Sequence, residues 1–198
     1  MTTIYLIRHC QSVANEKRVY NSTINDDEGL SKNGKKQSLL IAKFFLKKKI
    51  ARIYTSPFLR TKQTADAIAL ATKARIEIID EIGEMDCGEW NGKTENDIVK
   101  RYPEAWRGWH YDPQNNPIPG GESLLEVQAR ALSAFKSLIK KHADEEIVIV
   151  THYCVFNVIM CTLISNLANF RSFDTQNGTV AEIKMENVPR LKIYSPLD

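Results

Sequence analysis

Short, continuously apolar and β-prone runs recur along this chain, separated by stretches with helical periodicity. Ile4-Tyr-Leu-Ile has this character, Ile53-Tyr-Thr and Ile76-Glu-Ile-Ile read as further short strands, and Ile147-Val-Ile-Val is the most strongly β-like segment. A strand that is apolar throughout, rather than alternating, is buried on both faces, as happens where helices cover both sides of a parallel sheet. Residues 31–49 read as a helix with Ser31 as N-cap and Leu39, Leu40, Phe44 and Leu46 as its apolar stripe. Another helix follows Ser56-Pro57 and runs to about residue 71, with the proline in its favoured first turn. Residues 122–142 read as a long amphipathic helix, and residues 155–163 return to helix. Two last strands, near 180–185 and 191–194, have no helix between them and are predicted to pair antiparallel at an edge. The alternation predicts an α/β fold with a mostly parallel central sheet and an antiparallel edge strand.

At 198 residues the chain is expected to be one domain spanning 1–198. Residues 86–121 differ in character, being rich in Gly, Trp, Asn and Pro, with only a short helix expected at 94–101. They read as an insertion or lid over the sheet. The net charge of +3 is too small for a surface that tracks a polyphosphate backbone. Lys35-Lys36 and Lys47-Lys48-Lys49 are the solvated side or end of one helix, so no nucleic acid is expected as a partner. The N-terminal apolar run is too short for a signal peptide, and no run approaches the ~18 apolar residues of a membrane span. The four cysteines, at 10, 87, 154 and 161, form no Cys-x-x-Cys pair, so neither a zinc knuckle nor a thioredoxin-type motif is present. Reduced thiols and a cytoplasmic location are expected.

Ligands of open α/β sheets bind beyond the carboxyl ends of the strands. The residues standing there are Arg8-His9 after the first strand, Ser56-Pro57 and then Arg60 after the second, Glu84 after the third, and Thr151-His152 after the strongest. Two arginines, two histidines and a carboxylate at one end of a sheet suit a phosphate site. Guanidinium groups match phosphate oxygens with paired hydrogen bonds, and an imidazole with one free nitrogen can attack phosphorus. His110 and His142 are read as a loop residue and a helix C-terminal cation, without a chemical role.

The residues around these positions form six ordered blocks. They are Arg8-His9-Cys10-Gln11-Ser12-Val13-Ala14-Asn15, Leu30-Ser31-Lys32-Asn33-Gly34-Lys35-Lys36-Gln37, Ser56-Pro57-Phe58-Leu59-Arg60-Thr61-Lys62-Gln63-Thr64-Ala65, Glu84-Met85-Asp86-Cys87-Gly88-Glu89-Trp90-Asn91-Gly92, Pro119-Gly120-Gly121-Glu122-Ser123 and Val150-Thr151-His152. In this order they resemble the histidine phosphatase superfamily, also called phosphoglycerate-mutase-like. The resemblance implies a three-layer α/β/α sandwich. It implies His9 as a nucleophile that becomes a phosphohistidine, with its other nitrogen donating to a backbone carbonyl. Arg8, Arg60 and His152 would surround the phosphoryl group and Asn15 would add a neutral hydrogen bond, with Gln11 and Tyr153 also placed among the substrate-binding residues. Glu84 would protonate the leaving alcohol and then activate water. No metal and no cofactor are implied, because the arginines and imidazoles supply the positive charge.

Two departures stand out. Cys10 occupies the place of a family glycine, and Tyr153-Cys154 that of a Gly-Gly pair. They are read either as tolerated substitutions or as thiols close enough to the histidines to couple activity to oxidation. Mutases of the family carry Glu-Arg-His-Tyr-Gly after the acid, where this chain has Glu84-Met85-Asp86-Cys87-Gly88. That difference favours a phosphomonoester hydrolase acting on a small phosphorylated metabolite. Mutase-type phosphoryl transfer and non-catalytic phospholigand binding are the alternatives, and a homodimer is left open. In Trp106-Arg107-Gly108-Trp109-His110-Tyr111-Asp112 the tryptophans either pack on substrate, with Arg107 or His110 reading an acidic group, or anchor the insertion.

Overall fold

The computed structural model describes residues 1–173 and 175–195. Strand β1 (Thr3–Arg8) leads through the one-turn helix α1 (Val13–Glu16) and the longer α2 (Lys32–Phe45) to β2 (Ile50–Thr55). Helix α3 (Leu59–Thr72) then leads to β3 (Arg75–Ile78). Helices α4 (Glu95–Arg101), α5 (Pro103–Tyr111) and α6 (Leu124–Lys141) precede β4 (Glu146–Thr151). Helix α7 (Tyr153–Ile164) precedes β5 (Val180–Lys184) and β6 (Arg190–Tyr194).

The strands make one six-stranded sheet in the order β3-β2-β4-β1-β5-β6. The first four are parallel, while β5 runs antiparallel to β1 and β6 antiparallel to β5. The mostly parallel sheet with an antiparallel edge is therefore as expected, and the two last strands form that edge. Successive side chains of a strand point to opposite faces, and here both faces are covered. Ile4, Leu6, Ile147 and Ile149 join Val127, Ala131 and Phe135 of α6 and residues of α7 in one core. Tyr5, Ile7, Val148 and Val150 join Ile41 and Phe45 of α2 and Ile68 of α3 in the other. Helices on both faces of the sheet give three layers. Among the described residues, no helix is long and apolar enough to cross a membrane.

Three local readings change. The buried positions of α2 are Gly34, Ser38, Ile41 and Phe45, while Leu39 and Leu46 are 63% and 61% exposed. Hydrophobicity alone favours the leucines, but close backbone packing selects the small residues. A Cβ on Gly34 would lie 1.9 Å from the carbonyl oxygen of Gln11, so only glycine lets the helix approach the β1–α1 connection. Pro57 stands before the cap residue Phe58, outside α3 rather than in its first turn. Between residues 86 and 121, α4 forms as expected behind a capping box of Thr94 and Asp97, but α5 follows it. Pro103 at the first position of α5 is the overlooked start signal, and His110 is consequently helical.

Gly34→Ala is expected to cost about 1–3 kcal/mol through overpacking, whereas Leu39→Ala at the exposed face should stay within about 0.5 kcal/mol of the parent. Urea unfolding midpoints with unchanged slopes would check both.

Candidate active site

The parallel register sets Arg8 opposite Thr151, so the next residues, His9 and His152, leave adjacent strands side by side. The His9 N–H donates to the Thr151 carbonyl at 2.9 Å, and the two rings meet edge to face with centroids 5.2 Å apart. After β1 the chain turns to α2 on one face of the sheet, and after β4 to α7 on the other, so a crevice opens between them. Arg8, His9, Asn15, Arg60, Glu84 and Tyr153 line one cavity there of about 820 Å³.

His9 is 2% exposed, and its Nδ1 lies 2.7 Å from the carbonyl oxygen of Cys10. A carbonyl only accepts, so Nδ1 carries the proton and Nε2 keeps a lone pair. The Arg60 Nε–H donates to that lone pair at 3.2 Å. Burial, reinforced by the Arg60 and Arg8 cations, holds the imidazole pKa well below its ordinary value. The His9 imidazole is thus neutral with one tautomer selected.

Arg60 is positioned by residues that the sequence did not single out. Its guanidinium lies 3.3 Å from the Asp27 carboxylate, with side chains 3% and 1% exposed, and donates to the side-chain and backbone oxygens of Asn21 at 3.1 Å each. Asp27 also accepts the backbone N–H groups of Arg60 at 3.1 Å and Gly29 at 3.0 Å. The signal available in the sequence was an Asp two residues before a glycine, an Asx-turn pattern. Arg8 lies over the Tyr153 ring at 5.0 Å and donates to the Thr175 carbonyl. Tyr153 therefore supports an arginine from its place in the cavity wall.

His152 is fully buried. Its Nε2 is 2.7 Å from the Ser56 hydroxyl, which is itself 2.7 Å from that of Thr61. Burial, with Arg60 next, lowers its pKa well below the ordinary value. Among the described residues, His152 Nδ1 and Arg8 Nε are buried without a hydrogen-bond partner. Asn15 spends its side-chain oxygen on the Ser12 N–H at 3.2 Å and on Asn177 at 3.0 Å, which leaves its NH₂ as the group free to donate.

The Glu84 carboxylate accepts the N–H groups of Met85 at 2.9 Å and of Cys154, in the first turn of α7, at 3.3 Å. Arg130 of α6 clamps the loop that carries it. The guanidinium donates to the carbonyls of Glu81, Gly83 and Glu84 at 2.7, 2.9 and 3.2 Å and to both carboxylate oxygens of Glu122 at 2.7 and 2.8 Å. Glu122 in turn accepts the Asp86 N–H at 2.9 Å. Gly121 is required by the same packing, since a Cβ there would lie 2.3 Å from the Asp86 carbonyl oxygen.

Several sequence-predicted groups lie elsewhere. The Gln11 side chain accepts the Ser31 hydroxyl at 2.7 Å, at the cap of α2, and is not in the cavity wall. The Cys10 N–H donates to Thr64 at 3.2 Å, and its thiol is wholly buried and pushed up to about 12 by desolvation. Cys154, by contrast, lines the cavity while packing into the core on the other face of the sheet, and burial raises its thiol too. All four cysteines are free. Protonated, buried thiols oxidise slowly, so the position of Cys10 does not support redox coupling. In α5, Trp109 is 3% exposed and packs between Trp90 and Phe170, with centroids at 6.4 and 6.0 Å, as an anchor. Arg107 pairs with Glu104 at the surface and Trp106 stacks on His110, so neither Arg107 nor His110 reaches the cavity. Besides Arg8 and Arg60, the cations that do line it are Lys17, Arg18 and Arg171.

Residues 4–190 match the histidine phosphatase superfamily (branch 1). The chain belongs to this superfamily. It is 33% identical over 187 residues to phosphoserine phosphatase 1 of Hydrogenobacter thermophilus, covering 94% of this chain and 88% of that protein. Putative phosphoserine phosphatase 2 of the same organism is 30% identical over 195 residues, covering 98% and 95%. Among solved structures, Bacillus stearothermophilus YhfR superposes with a TM-score of 0.93 at 26% identity, covering 100% of both chains. A phosphoserine phosphatase mutant from Entamoeba histolytica, in complex with phosphoserine, shares the fold with a TM-score of 0.85 at 22% identity, covering 99% and 98%. The chain is a phosphomonoester hydrolase of the histidine phosphatase type.

Two outcomes follow from the site geometry. Removing the cation in Arg60→Gln should raise the His9 pKa toward the ordinary histidine value, because a neighbouring positive charge disfavours the imidazolium; a nitrogen-detected NMR titration reads this directly. Arg130→Met should lower kcat by about 100-fold through misplacement of Glu84 while leaving KM within about twofold.

Proposed function

We propose that hydrolysis runs through a phosphohistidine on His9. The lone pair of Nε2 attacks phosphorus, the bond from phosphorus to the ester oxygen breaks, and Glu84 hands its proton to the departing alkoxide. Water then attacks the phosphohistidine, Glu84 takes a proton from it, the P–N bond breaks, and inorganic phosphate leaves. The observation that carries this reading is the single acceptor nitrogen of His9, set by its bond to the Cys10 carbonyl, beside buried donors that lack partners. An incoming phosphoryl oxygen takes over the Arg60 Nε–H and so releases the lone pair. Other oxygens satisfy Arg8 Nε, the Asn15 amide and His152 Nδ1, the last in the tautomer whose Nε2 accepts from Ser56. Donors fixed before the charge develops need no reorganisation when it does, which is the main electrostatic contribution to such a transfer.

The substrate is a small phosphomonoester, and the curated relatives make phosphoserine the first candidate. Met85, Asp86 and Cys87 follow Glu84 without a cation to hold a second phosphate there, which supports hydrolysis over mutase transfer. The four free, buried thiols suit a reducing, cytoplasmic setting.

Turnover of ³²P-labelled substrate followed by an alkaline quench should leave label on the wild-type chain and none on His9→Ala, whose kcat should fall at least about 1000-fold. Label of equal intensity on His9→Ala would overturn the assignment of the nucleophile.

A further inference from the structure

The cavity of about 820 Å³ is far larger than one phosphoryl group, and beyond Arg8 and His9 its wall includes Tyr20, Glu95, Trp109 and Arg171. Besides Lys17, which pairs with Glu28, and Arg18, that wall carries two further charges of opposite sign. Glu95 opens α4, and Arg171 lies in the 3-10 turn Leu167–Ser172 that follows α7. The guanidinium of Arg171 is placed by donating to the Trp109 carbonyl at 3.2 Å and by lying over the Trp109 and Phe170 rings, 5.4 and 6.0 Å from their centroids. Tyr20 packs edge to face on Trp90 at 5.8 Å, and its hydroxyl is near enough to both charges to respond to each. Burial raises that hydroxyl to about 12, Glu95 adds to the rise and Arg171 opposes it. Among the described residues, neither Glu95 nor Arg171 belongs to an ion pair.

We propose that Arg171 and Glu95 bind the carboxylate and the ammonium of an O-phosphorylated amino acid, which makes a zwitterionic phosphomonoester of the phosphoserine type the substrate class. The proposal rests on the hydrolase reading of the same cavity. A zwitterion satisfies both charges at once. A phosphorylated hydroxy acid meets Arg171 but is repelled by Glu95, a phosphorylated amino alcohol meets only Glu95, and a neutral head group meets neither. Discrimination thus comes from repulsion as well as attraction.

Four phosphomonoesters separate these contributions: O-phosphoserine with both charges, 3-phosphoglycerate with the carboxylate, O-phosphoethanolamine with the ammonium, and para-nitrophenyl phosphate with neither. Arg171→Met should raise KM for phosphoserine and 3-phosphoglycerate by about tenfold, with kcat and the other two substrates unchanged. Glu95→Gln should raise KM for phosphoserine and phosphoethanolamine and lower it for 3-phosphoglycerate. A variant that shifts all four substrates alike, or leaves phosphoserine untouched, overturns the proposal while the hydrolase stands. If the wild type turns over none of the four, the hydrolase reading fails instead. Calorimetric binding of phosphoserine then decides the charge assignment by itself, since equal affinity of wild type and Arg171→Met overturns it and weaker binding by the variant supports it.

Discussion

The parallel ladder between β1 and β4 begins with Thr3 opposite Glu146 and ends with Arg8 opposite Thr151, and His9 and His152 follow directly from that last pair. A slip of one residue would turn Ile4 and Leu6 toward the core that now holds Tyr5 and Ile7, so burial on both faces enforces the register. Once it is enforced, His9 and His152 must emerge together. The helices that follow them pack on opposite faces of the sheet, and the crevice between them admits a ligand.

Bringing two arginines and two histidines into that crevice carries an electrostatic cost. Arg60 is countered by Asp27 in a buried pair, where loss of one partner alone costs about 3–5 kcal/mol. Arg8 rests on the Tyr153 ring and a backbone carbonyl. The imidazoles meet the cost by staying neutral, and for His9 neutrality is also the state that can attack phosphorus. Among the described residues, Arg8 Nε and His152 Nδ1 have no hydrogen-bond partner, and a phosphoryl group supplies acceptors for such donors.

The strands were legible because continuous apolar runs have one common explanation in a chain of this length. The helix face of α2 was not, because Gly34 is buried for its small size against Gln11, and hydrophobic patterning carries no such information. Helix α5 was hidden by its tryptophans and glycine, although Pro103 marked its start. Asp27, Asn21 and Arg130 escaped notice for a related reason. They hold Arg60 and the Glu84 loop from 33, 39 and 46 residues away along the chain, and nothing local marks them as partners. Gln11 shows the opposite error, since it lies within a site motif yet turns to cap α2.

The sequence by itself determined the kind of sheet, the strand ends where polar residues gather, and the resemblance of six ordered blocks to one family. These are properties of local pattern and order along the chain. Tertiary structure alone decided which nitrogen of His9 is free, which donors lack partners, and that Arg171 rather than Arg107 reaches the cavity. Those depend on atoms brought within hydrogen-bonding distance from distant segments, and on how far water is excluded around them. Residue type and spacing do not encode either quantity.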